Sequence, residues 1–173
     1  MKIVVCVKPV NEEMNPFDEC ALECALRIEN AEVTVISMGR PSTVNMLKRL
    51  TRLGIKKAIL LTDPAFAGAD TLATSYVLSL AVQKLNPDLI ILDEPTTALD
   101  VITQDYILNI LKRINREMGT SMLLLTHDIA VVAKFADYVG VMYAGKLVEY
   151  GDTLAVFEKK LHPYTAGLIN ATP

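Results

Sequence analysis

Five times along this chain a short apolar run gives way to a segment of helical period, and that alternation limits the possible folds more than any other feature. The runs are Ile3 to Val7, Glu32 to Met38, Lys57 to Thr62, Leu89 to Asp93 and Met122 to Thr126. Apolar runs of this length, bounded by turn residues, fit strands covered on both faces. Regular alternation with helices predicts a three-layer, doubly wound, mainly parallel α/β sheet with right-handed crossovers. Counting the five runs along the chain, the expected strand order is 3-2-1-4-5.

The punctuation supports the helices. Asn15 caps the first, with Pro16 in its first turn and acids facing the dipole. Ser42 is expected to cap the second, with Val44, Leu47, Leu50 and Leu53 inward and Gly54 as its stop. Thr71 to Leu85 and Thr103 to Glu117 form the longer helices, and Ile129 to Phe135 a short one. Tyr138 to Ala144 and Leu147 to Tyr150 flank Gly145-Lys146 and predict a hairpin. Leu154 to Leu161 reads as the last helix and His162 onward as an exposed tail. No linker splits the chain, so residues 1–173 are expected to form one α/β domain.

A net charge of −3 offers no basic field to nucleic acid or an anionic membrane. No apolar run approaches the ~20 residues of a membrane-spanning helix, and the apolar start is too short for a signal peptide. Cys6, Cys20 and Cys24 form no CxxC pair and imply no disulfide framework. Two thiols one turn apart make a poor zinc site, since His127 and His162 lie far off in sequence. They read as small packed residues in a reducing, cytoplasmic compartment.

The stretch richest in chemistry is Leu89-Ile90-Ile91-Leu92-Asp93-Glu94-Pro95-Thr96-Thr97-Ala98-Leu99-Asp100. It reads as a buried strand delivering two carboxylates to the carboxyl edge of the sheet, where open α/β sheets bind ligands. LIILDEPTTALD resembles the Walker B motif and D-loop of ABC-type ATPases. The resemblance implies that Asp93 holds Mg²⁺ when a nucleotide binds and that Glu94 polarises the attacking water. It makes Ala98, Leu99 and Asp100 the D-loop. From about Leu89 onward the chain is similar to the ATPase subunits of oligopeptide and dipeptide importers. LLLTHD supplies the switch histidine, His127, while VMYAGKLVEYG and LHPYTAGL match the closing hairpin and the tail motif of that family.

Residues 1 to about 88 have another likeness. MKIVVCVKPV, MNPFDECALECALR, EVTVISMG and AILLTDPAFAGADTLATSYVL resemble the β subunit of electron transfer flavoprotein, in the order that family has them. That family holds AMP beside a partner subunit that shares FAD. By motif, the implied AMP contacts are Cys6, Asn15, Pro16, Phe17, Asp18 and Met38. The segment between the first strand and MNPFDE is shorter than is usual there. DEPTTALD stands where that family has its phosphate loop.

The chain therefore reads as a chimera with its seam near Asn86-Pro87-Asp88, and deliberate construction is favoured over natural fusion. Nothing in residues 1–88 reads GxxxxGK[ST], and no LSGGQ-type signature is present. Phosphoryl transfer depends on positioning and charge neutralisation, so the acids and His127 are expected to be vestigial and the chain not to hydrolyse ATP. The bland reading of Asp93 and Glu94 is an acidic strand end, with Thr96 or Thr97 capping the next helix. No cofactor is expected; the alternative is a module binding AMP or Mg-ATP weakly at the carboxyl edge. The flavoprotein α subunit and the importer membrane subunits are not expected to be engaged, and a homodimer is the association left open.

Overall fold

The structure, a computed structural model, describes residues 1–171. It falls into two compact units, Met1–Leu125 and Thr126–Pro173.

In the first unit, strand β1 (Lys2–Cys6) leads into a two-rung hairpin, β2 (Pro9–Val10) with β3 (Glu13–Met14), and then helix α1 (Pro16–Leu26). Strand β4 (Glu32–Met38), helix α2 (Val44–Leu50), strand β5 (Lys57–Leu61) and helix α3 (Thr71–Leu85) follow. Strand β6 (Leu89–Asp93), helix α4 (Val101–Met118) and strand β7 (Ser121–Leu125) complete it. The sheet order is β5-β4-β1-β6-β7 and every pairing is parallel. That is the order 3-2-1-4-5 that the alternation predicts.

Strand parity divides the core into two layers. Ile3, Val5, Val33, Val35 and Ile91 face α1 and α2, packing with Leu22, Ala25 and Leu47. Val4, Ile36 and Ile90 face α3 and α4, packing with Val82, Ile110 and Ile114. Both layers draw residues from each side of position 88. Burying side chains of this size contributes about 1.5–3 kcal/mol each.

The seam is held by backbone chemistry. Asp88 donates its N–H to Lys2 O and accepts the Lys2 N–H on Oδ2, at 2.9 and 2.7 Å. Its carbonyl accepts Ser121 N–H at 2.9 Å, and the buried Thr120 hydroxyl donates to Pro87 O at 2.9 Å. One residue thus ties the amino ends of β1, β6 and β7.

Three local expectations within the first unit are corrected. Ser42 does not cap α2: Pro41–Thr43 form a 3-10 turn that enters the helix without a side-chain cap. Val44 and Leu53 are exposed, and Met46 takes the buried position instead. Neither Thr96 nor Thr97 caps α4, because Asp100 sits directly before it and accepts from Ile102 and Thr103 N–H at 3.0 Å.

The second unit starts with helix α5 (Ile129–Phe135), capped by Asp128. Strands β8 (Tyr138–Tyr143) and β9 (Lys146–Asp152) form the expected hairpin, and helix α6 (Thr153–Lys159) covers one face of it. The residues after His162 are not an exposed tail. Pro163–Asn170 form helix α7, with His162 as its cap and Thr165 fully buried. Glu149 clamps the entry, accepting Leu161 and His162 N–H at 3.0 Å each. The Thr165 hydroxyl, turned toward it outside strict hydrogen-bond geometry, and these N–H groups hold Glu149 below the usual carboxylate range. Residues 172 and 173 of the expected tail lie outside the described residues.

Candidate functional site

In a parallel sheet ordered this way, the chain leaves β1 toward one face and β6 toward the other, which opens a crevice beyond their carboxyl ends. The sequence places its chemistry there. Cys6 ends β1 beside Ile36 of β4, Met38 ends β4, and Asp93 ends β6. Helix α1 packs on β1 and β6 and points its first turn at the same edge.

That first turn is closed by its own side chains. Asn15 Oδ1 accepts Phe17 N–H at 3.3 Å, Pro16 has no N–H to offer, and Phe17 projects outward, 71% exposed. Asp18 Oδ2 accepts Lys8 N–H at 2.6 Å, and Asn15 N–H returns to Lys8 O at 3.0 Å. The hairpin between β1 and α1 is drawn toward α2, where Arg49 donates to Glu12 O at 2.8 Å and pairs with Glu13 at 2.9 Å. Pro9 rests over Gly39, where an added Cβ would lie 3.1 Å from its ring and 2.6 Å from the Thr43 hydroxyl.

The crevice is therefore acidic. Burial raises the Asp18 carboxyl; the Asp93 charge adds to this, against the Lys8 N–H and the Lys8 ammonium, which lower it. Burial and the adjacent Glu94 carboxylate raise Asp93. Burial, with Asp18 behind it, pushes the Cys6 thiol up to about 12. A carboxylate at Asp93 is a competent Mg²⁺ ligand by donor type. Among the described residues, however, no three His, Cys, Asp or Glu side chains are arranged to hold a metal ion.

Beyond β6 the loop folds on itself. Glu94 adopts a left-handed conformation (φ 46°), its N–H reaches Leu125 O at 3.0 Å, and its Oε2 accepts the Thr97 hydroxyl. Ala98 is also left-handed (φ 62°), Leu99 N–H returns to Thr96 O at 3.3 Å, and Thr96 is buried. Such geometry costs a non-glycine residue on the order of 1 kcal/mol. Asp100 is held below the carboxylate range by the Thr103 hydroxyl and the N–H groups it caps. Its assignment to a D-loop and its role as a helix cap fall on the same atoms.

The structure thus gathers Cys6, Asn15, Asp18, Met38, Asp93 and Glu94 at one sheet edge of the first unit. His127 belongs to the second unit, between β7 and α5. Sequence reasoning missed Lys8, whose N–H anchors Asp18, and missed the Asp93 charge that helps raise Asp18. Part of the signal was available: the order 3-2-1-4-5 makes the ends of β1 and β6 neighbours, which brings the first turn of α1 near the acid ending β6, but the order does not set which face of α1 turns that way.

Residues 3–104 match the electron transfer flavoprotein domain family, a match that runs past position 88. The later part of the chain and, in the longer match, some of the first half as well are similar to peptide-importer proteins. The dipeptide transport ATP-binding protein of Caldanaerobacter subterraneus is 52% identical over 87 residues, covering 50% of this chain and 27% of that protein. The oligopeptide transport ATP-binding protein of Escherichia coli is 39% identical over 131 residues, 76% of this chain and 38% of that protein. The chain therefore spans well under half the length of these relatives. Among solved structures, CbiO1 of Clostridium perfringens, part of an ABC transporter complex, aligns with a TM-score of 0.53 and 25% identity, over 92% of this chain and 60% of that one. Two ancestries in one chain are consistent with a chimera.

Proposed function

Because this chain belongs, over residues 3–104, to the electron transfer flavoprotein domain family, while its later part is similar to importer ATPases, we propose that it is a chimeric nucleotide-fold scaffold that does not hydrolyse ATP. One observation carries this reading: Asp18 occupies the Lys8 N–H with its own carboxylate at the edge where a phosphate would need free donors. Phosphate recognition relies on unsatisfied backbone N–H groups and a positive end of a helix. Here the Phe17 N–H is taken by Asn15, and three acids, Asp18, Asp93 and Glu94, line the crevice. A triphosphate meets negative charge instead of a cradle. Within these 173 residues no GxxxxGK[ST] loop supplies one.

On this reading Asp93, Glu94 and His127 are retained catalytic side chains without a reaction, and the joining was deliberate. Neither the flavoprotein partner subunit nor importer membrane subunits are engaged, and the protein resides in the cytoplasm. Among the described residues no helix is long and apolar enough to cross a membrane.

A second reading, a weak AMP- or ATP-binding module, is favoured by the gathering of Cys6, Asn15, Asp18 and Met38 at the switch point. Thermal melts with AMP, Mg-ATP and FAD, beside a phosphate-release assay, separate the two. A ligand at a hundredfold excess over Kd adds about 2.7 kcal/mol to stability. The scaffold reading expects unchanged melts and no phosphate release. A melt raised by AMP alone would replace it with the binding module, and Mg-dependent release of phosphate would overturn both.

A further inference from the structure

At the opposite, amino edge of the first unit's sheet lies a recess of about 300 Å³, lined by Lys2, Val4, Glu32, Thr34, Lys57 and Leu85 among others. It exists because α3 stops early. Val4, Thr34 and Lys57 stand side by side across β1, β4 and β5, on the face that α3 covers farther along. Helix α3 ends at Leu85 and the chain turns off through left-handed Asn86 (φ 45°), leaving this corner of the sheet open.

The charge of the recess is lopsided. Lys2, Lys56 and Lys57 line it against one acid, Glu32. Glu32 is bridged to Lys56 at 2.5 Å and is held below the usual carboxylate range chiefly by that partner. The next acid along the edge, Asp88, accepts the Lys2 backbone N–H. Lys2 and Lys57 close no ion pair among the described residues. Two ammonium groups thus flank an apolar wall of Val4, Leu85 and Pro87.

We propose that this recess binds a small monocarboxylate with a short apolar tail, its head between Lys2, Lys57 and the Thr34 hydroxyl and its tail along Val4, Leu85 and Pro87. The volume is at the lower end for ligand pockets, so the tail is short. A doubly charged phosphate suits the place less well, because a parallel sheet directs helix carboxyl ends, with their partial negative charge, to this edge. The site lies at the other end of the strands from the acidic crevice and does not depend on that crevice's role.

The test is an amide NMR titration of the whole chain with hexanoate, 1-hexanol and hexylammonium. Hexanoate is expected to shift the amides of Lys2 to Val4, Thr34 and Lys57 saturably, and to bind about tenfold tighter than hexanol, as two screened charge contacts allow. Joint replacement Lys2→Gln and Lys57→Gln should erase that advantage while leaving hexanol binding unchanged, and Glu32→Gln should strengthen hexanoate binding. All three positions are at the surface rim, so retained spectral dispersion certifies the fold. The proposal fails if hexanol matches hexanoate, if hexylammonium binds best, if the shifts map to Asp18 and Asp93, or if none saturates below about 10 mM.

Discussion

Asp93 illustrates how a side chain can be retained in type and altered in energy. Its pKa is raised by burial and by Glu94, and its charge in turn raises Asp18. The folded state therefore binds these protons more tightly than the unfolded chain does. The penalty of ionising them is absent below the ordinary value of 3.8, grows as pH rises from there toward the higher folded values, and is complete above them. Asp93→Asn is accordingly expected to stabilise the protein at pH 7, by about 0.5 kcal/mol after solvent screening. The gain should vanish below the ordinary carboxylate range, and urea titrations at both pH values would reveal it. Cys6 gives a second expectation. With its thiol pushed to about 12 while Cys20 is exposed, iodoacetamide at mildly alkaline pH should modify Cys20 and spare Cys6 in the native protein. Peptide mass spectrometry reads the order directly.

At the scale of the elements, legibility followed the strength of local punctuation. Strand β4, helix α3 and helix α5 were readable to the residue, because each has clear stops: Gly39 after β4, Asp70 and Asn86 around α3, Asp128 before α5. Helix α7 escaped because its cap is the ring of His162, whose Nδ1 accepts Tyr164 N–H at 3.1 Å. Histidine is not among the residues that usually announce a helix start. The β2–β3 hairpin escaped because two residues per strand carry no period. The cap of α4 was sought at Thr96 or Thr97 because the turn through Ala98 could not be foreseen without its left-handed backbone. The edge where the site lies was readable from topology, but the acidity of the crevice depends on which helix face meets β6, and periodicity does not fix that. The end of α4 supports a separate expectation. Gly119 is left-handed (φ 66°) and a Cβ there would meet nothing within 4 Å. Gly119→Ala should therefore cost about 1 kcal/mol through backbone conformation alone, lowering the denaturation midpoint without changing its slope.

Across the whole first unit, both layers of the core are shared between the two segments. Ile91 packs in a layer whose other fully buried members precede position 88, with Leu89 and Leu125 at its margin, and Ile90 meets Ile36 and Val82 on the other face. Ile91→Ala is expected to cost about 3–4 kcal/mol, a large share of the 5–15 kcal/mol that typically holds a domain together. A fragment of residues 1–88, deprived of the strand that pairs with β1, should lack dispersed amide resonances. The junction itself needs little from either parent. The bonds between Asp88, Lys2 and Ser121 are chiefly main-chain bonds, and one carboxylate is their only specific demand on sequence. A join of this kind behaves as a plug and socket, with main-chain bonds and one carboxylate at its mouth and apolar side chains behind it. Lineages that share nothing but a parallel sheet can in this way trade halves.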